Sequence, residues 1–265
     1  MKTAVCFFGE IRGNPEHWKK IYDNIVLPNN ADVFMSHTIY DTNFIETHTQ
    51  EQQELLINYY KNKGLNYSVS DNLMEIFKPK IIKCSPKYEY PLEPYNLFVD
   101  NVNHVHSLTV NHNFNYDCTK LGYYAIMNQN DTRSSVIQLK QEYEIKMNIL
   151  YDNIILTRLD INPIAEIKLL DRLNNISGKI FNNFMYEQVI LGPSDKMNIF
   201  IKLLKQMPEL YIKNCNMEHH FMQNEYHICK FLEHNNMNID FIDIPLSYNS
   251  SIYPNGLMRF DFSFI

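Results

Sequence analysis

Two short polar clusters carry residue types from which a site for an anionic ligand can be built. The first, Gly9-Glu10-Ile11-Arg12-Gly13, follows an apolar run over residues 3–8. Its glycines let a ligand approach the backbone, the helix that follows offers free N–H groups, and Arg12 supplies a forked cation for phosphate. The cluster is neither a Rossmann GxGxxG nor a P-loop, since no Gly-Lys-Ser/Thr follows. A tight turn with a solvent-facing Arg12 satisfies the same residues. The second cluster is Arg158-Leu159-Asp160, after the apolar segment 152–157. An aspartate just past a buried strand can coordinate a divalent cation bridging a diphosphate, and Arg158 can neutralise a phosphate directly. A lone R-x-D is common, however, and on these residues alone a surface ion pair or a helix N-cap is the default account.

Other reactive residue types are less organised. His104-x-His106 with His112 has the spacing of strand neighbours but lies in an Asn-rich stretch, where solvated histidines are the default. His219-His220 with Glu225 and His227 falls on an expected helix without HExxH or another ligand signature, so a partly exposed polar face accounts for it. No G-x-S-x-G nucleophile elbow is present. The five cysteines are odd in number, widely spaced and without a CxxC pair, which indicates neither a disulfide framework nor a zinc ribbon. Cys6 lies within the first apolar run, where burial leaves a thiol inert.

The elements that must position the two clusters alternate. Residues 3–8 form a strand ended by Gly9. Asn14 as N-cap, Pro15 at the first helical position and Glu16 in the first turn start a helix. Trp18, Ile21, Tyr22 and Ile25 recur at helical spacing up to Pro28, and residues 31–37 form a second strand. Strand–helix–strand with short joins predicts a parallel α/β unit. A helix over 50–63, a strand over 80–84 and a loop-rich stretch over 85–118 follow. A helical region over 120–147, interrupted around 128–132, has Val136, Leu139, Tyr143 and Met147 on one face. Strands are expected over 152–157 and 189–191. Ser194 then caps a helix ending before Pro208, a last helix spans 216–234, and 239–244 closes as a strand. The whole chain of 265 residues reads as a single α/β domain with a mixed, mostly parallel sheet flanked by helices.

Composition narrows the partners. A net charge of −6 argues against nucleic acid, which calls for a concentrated basic face, yet leaves room for a small anion held by a few arginines. No apolar run approaches the roughly 18 residues of a membrane span. The opening apolar stretch is too short for a signal peptide, so the chain is expected in the cytoplasm, free or peripheral at the membrane face. The 33 asparagines make the four Asn-x-Ser/Thr sequons (Asn66, Asn130, Asn175, Asn249) about what chance provides.

The clusters also carry a resemblance. Ala4-Val5-Cys6-Phe7-Phe8-Gly9-Glu10-Ile11-Arg12-Gly13, followed by a helix and then Asp32-Val33-Phe34-Met35-Ser36-His37-Thr38, resembles the start of a loose group of bacterial and giant-virus glycosyltransferase-like proteins. Tyr143-Glu144, the stretch from Tyr151-Asp152 to Arg158-Leu159-Asp160, and Glu187-Gln188-Val189-Ile190-Leu191-Gly192-Pro193-Ser194-Asp195-Lys196-Met197 are similar to later motifs of that group. The four matches keep their order over residues 3–200, while 40–115 matches nothing and is expected to be an insertion or an acceptor region.

The resemblance implies a GT-A-like fold in which a nucleotide-sugar donor lies across the strand ends of a Rossmann-like half. It implies Gly9, Glu10 and Arg12 at the nucleotide or its phosphates with His37 nearby, and Asp160 as the carboxylate holding Mn²⁺ or Mg²⁺. Arg158 replaces the first Asp of the usual Asp-x-Asp, so an arginine shares the metal's task. Transfer expels a nucleoside diphosphate whose growing charge must be stabilised. An inverting reaction also needs a carboxylate base, for which Glu187 is the first candidate and Glu225 the second. The implied activity is sugar transfer to a glycan or lipid-linked acceptor. A nucleotidyl- or phosphotransferase, or a catalytically silent nucleotide- or glycan-binding protein, are the alternatives.

Overall fold

The computed structural model describes residues 1–11, 13–39, 71–86, 90, 96, 116–181, 184–214 and 224–246. Strand β1 (Thr3–Glu10) leads through Gly13 into α1 (Pro15–Ile21), which continues as a π turn and a 3₁₀ turn to Asn29 before β2 (Asp32–Ile39). Helix α2 (Asp71–Phe77) and β3 (Ile81–Pro86) follow, then the long helix α3 (Tyr116–Met147) and β4 (Asn153–Arg158). Next come β5 (Ile176–Phe181), β6 (Phe184–Pro193), the single turn α4 (Ser194–Met197) and, after a 3₁₀ segment, α5 (Leu203–Asn214). Helix α6 (Asn224–His234) and β7 (Ile239–Phe241) complete the described elements.

The strands form one sheet in the order β3-β2-β1-β4-β6-β5-β7. Strands β3, β2, β1 and β4 are mutually parallel, β6 runs antiparallel to both β4 and β5, and β7 is parallel to β5. The α/β expectation with a mostly parallel sheet is therefore met. Side chains alternate across β1 as the pleat requires. Ala4, Cys6 and Phe8 join Phe34, Ile154 and Leu156 under α3, α5 and α6, while Val5 and Phe7 join Val33, Met35 and Ile155 under α1 and α2. Both faces being covered, the strands read as near-continuous apolar runs, which is why β1, β2 and β4 were visible in the sequence.

Several expectations change. Residues 71–86, inside the stretch without a match, supply α2 and the strand paired to β2, so this part belongs to the sheet. The expected helix over 50–63 lies outside the described residues. Strand β5 was not anticipated. Helix α3 passes through 128–132 without a break, because its helix-poor side chains find partners: Asn128 donates to the Tyr124 carbonyl and Thr132 to those of Asn128 and Gln129. Its buried line runs Arg133, Val136, Ile137, Lys140 and Glu144, whereas Met147 is exposed. The cap of α4 is Pro193 rather than Ser194, whose hydroxyl turns inward instead. Helix α5 carries Pro208 inside it, with Met207 and Leu210 buried on either side. The closing strand stops at Phe241.

At the amino ends of the parallel strands a buried polar knot ties α3 to β4 and β6. Lys140, fully buried, donates from Nζ to Glu144 Oε2 (2.9 Å), Ser194 Oγ (2.8 Å) and Asn198 Oδ1 (2.9 Å). An ammonium has three hydrogens, so it is saturated. Glu144 Oε1 accepts from the Tyr151 N–H at 2.9 Å, and the Ser194 N–H donates to the Asp152 carbonyl. Tyr151 donates its hydroxyl to Asp32, which also pairs with Lys80. Gly192 has no room for a side chain: a Cβ there would lie 2.9 Å from Met197 Cγ. The Tyr-Glu and Gly-x-Ser-x-x-Met stretches of the resemblance thus map to a structural lock.

Candidate functional site

Residues from β1 and β4 meet at the opposite end. The chain leaves β1 toward β2 and β3 on one side, then returns through α3 to β4 on the other. Such a reversal of strand order marks the position, beyond the carboxyl ends of β1 and β4, at which open α/β sheets bind ligands. The register aligns Phe8 with Arg158, so the glycine turn and the Arg158-Asp160 pair exit side by side.

The turn is built from special backbone. Gly9 and Gly13 have φ of 91° and 97°, in the left-handed region that favours glycine. A Cβ at Gly13 would also lie 2.8 Å from His17 Cδ2 and 3.0 Å from Trp18 Nε1. Asn14 caps α1 as expected, its side chain accepting from the His17 N–H at 2.8 Å. The Gly9 N–H donates to Thr132 Oγ1 of α3 at 2.9 Å, and its carbonyl lies 3.1 Å from His37 Nδ1. Glu10 is half-buried at the end of β1, whereas Arg12 lies outside the described residues.

At the end of β4, Arg158 grips Asp160 with both arms. Its Nε donates to Oδ1 at 2.7 Å and its Nη2 to Oδ2, and the side chains are only 17% and 8% exposed. Arginine's fork fits a carboxylate in this bidentate way. The pair is therefore a nearly buried ion pair, a tighter form of the ion-pair alternative. With both oxygens engaged, Asp160 does not offer the open carboxylate that a Mn²⁺ or Mg²⁺ site requires. Among the described residues no three His, Cys, Asp or Glu side chains cluster closely enough to hold a metal ion. The described residues do not fit the metal that the resemblance implies.

The antiparallel strand brings the base candidate to the same end. Thr157 pairs with Val189, and its hydroxyl donates to the Gln188 carbonyl at 3.0 Å. The backbone of Glu187, two residues before Val189, is thus level with the Arg158-Asp160 turn, although its side chain lies outside the described residues. Glu225 is half-buried in the first turn of α6, beside Asn224. Asn224 donates to Gln129 Oε1 (2.9 Å) and accepts from Asn130 (3.3 Å), fastening that turn to α3.

Three nearby residues escaped sequence reasoning. Arg133 is fully buried on α3, with its guanidinium 4.2 Å above the Phe8 ring and bonded to Asn130. Thr132 holds the Gly9 amide. His17 stands in α1 against Gly13, its proton affinity lowered mainly by burial despite the carbonyls of Leu159 and Ile161 and the charge of Asp160. Only the Gly-x-x-x-Gly turn beside a capped helix could have pointed to His17. Nothing local marks Arg133.

Of the remaining candidates, His227 is buried in α6 rather than on a partly exposed face. His104, His106, His112, His219 and His220 lie outside the described residues. Burial pushes the Cys6 thiol up to about 12, as its inert reading required. Among the described residues no helix is long and apolar enough to cross a membrane.

His37 gives the end of the sheet a pH signature. Its ring is fully buried, and desolvation lowers its pKa from 6.5 to about 4, against the smaller opposing effect of the Gly9 carbonyl. The folded pKa is depressed for a base, so the unfolded chain binds the proton first as pH falls. Stability is therefore complete above about pH 6.5 and is lost progressively down to about pH 4, by roughly 3 kcal/mol. Urea melts at pH 4.5 and 7 should show a larger loss for the native chain than for His37→Asn. Equal losses would refute the assignment.

No family model matches the chain, and no curated protein matches it significantly.

Proposed function

We propose that the chain is a nucleotide-sugar-dependent glycosyltransferase of GT-A-like fold, working in the cytoplasm on a glycan or lipid-linked acceptor. The observation that carries this reading is the register of β1 and β4. It sets a phosphate-compatible glycine turn beside an arginine–aspartate pair at the reversal of strand order. The four parallel strands β3-β2-β1-β4 are compatible with the Rossmann-like half that a donor nucleotide needs.

In this reading the turn at Gly9 with Glu10 and Arg12 receives the diphosphate. Arg158, oriented by Asp160, meets the negative charge that grows on the leaving nucleoside diphosphate. Glu187, from the opposing strand, is the base for an acceptor hydroxyl, and Glu225 is the second choice. The resemblance would add Mn²⁺ or Mg²⁺, but the arginine-capped Asp160 gives no reason to route a step through one.

A thermal-shift screen against UDP, GDP, CMP and their sugars, with and without Mn²⁺, tests the reading. A ligand at a hundred times its Kd adds about 2.7 kcal/mol, a rise of roughly 5–10 °C for a chain of this size. Release of nucleoside diphosphate from the stabilising donor distinguishes a transferase from a silent binder. No shift with any donor, or unchanged donor binding in both Arg12→Ala and Asp160→Ala, would refute the site.

A further inference from the structure

His37 stands at the carboxyl end of β2, in register with Gly9 of β1 and Cys84 of β3. The ring is fully buried, and its Nδ1 lies 3.1 Å from the Gly9 carbonyl oxygen. A carbonyl can only accept, so Nδ1 carries the proton and Nε2 presents a bare lone pair on the side of the ring away from Gly9. That Nε2 is buried and has no hydrogen-bond partner among the described residues. Buried acceptors are almost always matched, so this one calls for a donor from beyond the described residues. Burial also keeps the ring neutral at physiological pH, which removes any role as a phosphate-binding cation.

The chemistry of the missing partner follows from the tautomer. A lone pair takes a hydroxyl or N–H, and a phosphate oxygen, itself an acceptor, cannot serve. Position narrows it further. In nucleotide-binding parallel sheets the phosphates sit at the turn after the first strand, and a carboxylate about twenty residues on accepts from a ribose hydroxyl. His37 follows the Gly9 turn and borders it directly across the sheet. We propose that His37 is the ribose acceptor of the nucleotide site, its Nε2 taking a hydrogen bond from a ribose hydroxyl where other sheets use a carboxylate. The proposal rests on the nucleotide-binding reading above, and adds that the site selects ribonucleotides by a neutral imidazole.

The test compares the binding of UDP, GDP, ADP and CDP with that of their 2′-deoxy and 3′-deoxy counterparts by calorimetry. The native chain should bind its preferred ribonucleotide about tenfold more tightly than one of the two deoxy forms, as loss of one hydrogen bond predicts. In His37→Asn the side-chain amide can still donate to the Gly9 carbonyl while nothing replaces Nε2, so the discrimination should disappear. In His37→Gln an amide oxygen reaches the Nε2 position, so it should persist. Melting curves confirm that both variants fold, and the deoxy comparison on the native chain needs no variant. Indifference of the native chain to both hydroxyls, or discrimination retained in His37→Asn, overturns the role of His37 alone. Failure of every nucleotide to bind overturns the nucleotide-site reading together with it.

Discussion

Lys140→Met is expected to destabilise the fold by about 3–5 kcal/mol, the usual cost of removing one partner from a buried ion pair. Such a loss is a large share of the 5–15 kcal/mol that holds a typical domain together. Methionine nearly matches the volume of lysine, so the effect is electrostatic rather than a cavity. It strands the Glu144 carboxylate, which is left with the Tyr151 amide and a long contact of 3.5 Å to Ser194 Oγ. It also deprives Ser194 and Asn198 of a donor at the junction of β6 and α4. Adding Glu144→Gln removes the stranded charge while keeping an oxygen for Tyr151, so the double variant should be more stable than Lys140→Met alone. Urea midpoints at pH 7 measure both. A cost below about 1 kcal/mol for Lys140→Met, or no recovery in the double variant, would show that the knot contributes little.

The largest effect on activity is expected at Arg158. Arg158→Lys keeps the charge but loses the fork, so neither the grip on Asp160 nor the approach to a diphosphate survives intact. If Arg158 meets the charge on the leaving group, kcat for donor cleavage should fall by about 10²–10³, the range for losing one such donor. KM should change less, because that charge develops in the transition state. Asp160→Asn should cost less than Arg158→Lys, since an amide oxygen can still accept one arm. The opposite order, with activity restored by raising Mn²⁺, would favour Asp160 as a metal ligand. Arg158→Lys within threefold of the native rate would exclude the arginine from the chemistry.

The parallel core was legible because strands buried on both faces are written as unbroken apolar runs, and the start of α1 because Asn14 and Pro15 are local signals. What escaped was decided by distant partners. Strand β5 holds Gly178 and Lys179, and only pairing to β6 and β7 makes it a strand. The Asn128–Thr132 segment reads as a break until its side chains are seen bonded within α3 and across to α6. Lys140 and Glu144, four apart, look like an ordinary surface pair on a helix, and nothing nearby tells that Ser194 and Asn198 close over them. The site was legible as two separate clusters, but their adjacency depends on β4 pairing with β1 across 150 residues. The grip of Arg158 on Asp160 depends on side-chain rotamers that the spacing of an R-x-D does not specify.

The packing of Trp18 against Gly13 has a practical consequence. The chain contains a single tryptophan, Trp18, which is 5% exposed and has its indole close to the glycine turn that would receive a phosphate. All tryptophan emission therefore originates beside the candidate site, with no second fluorophore of that kind to dilute it. A ligand that moves the turn would report itself as a change in colour or intensity, without a label and without a coupled assay. The same indole lies in the core under α1, so one optical signal follows both occupancy of the turn and melting of the fold.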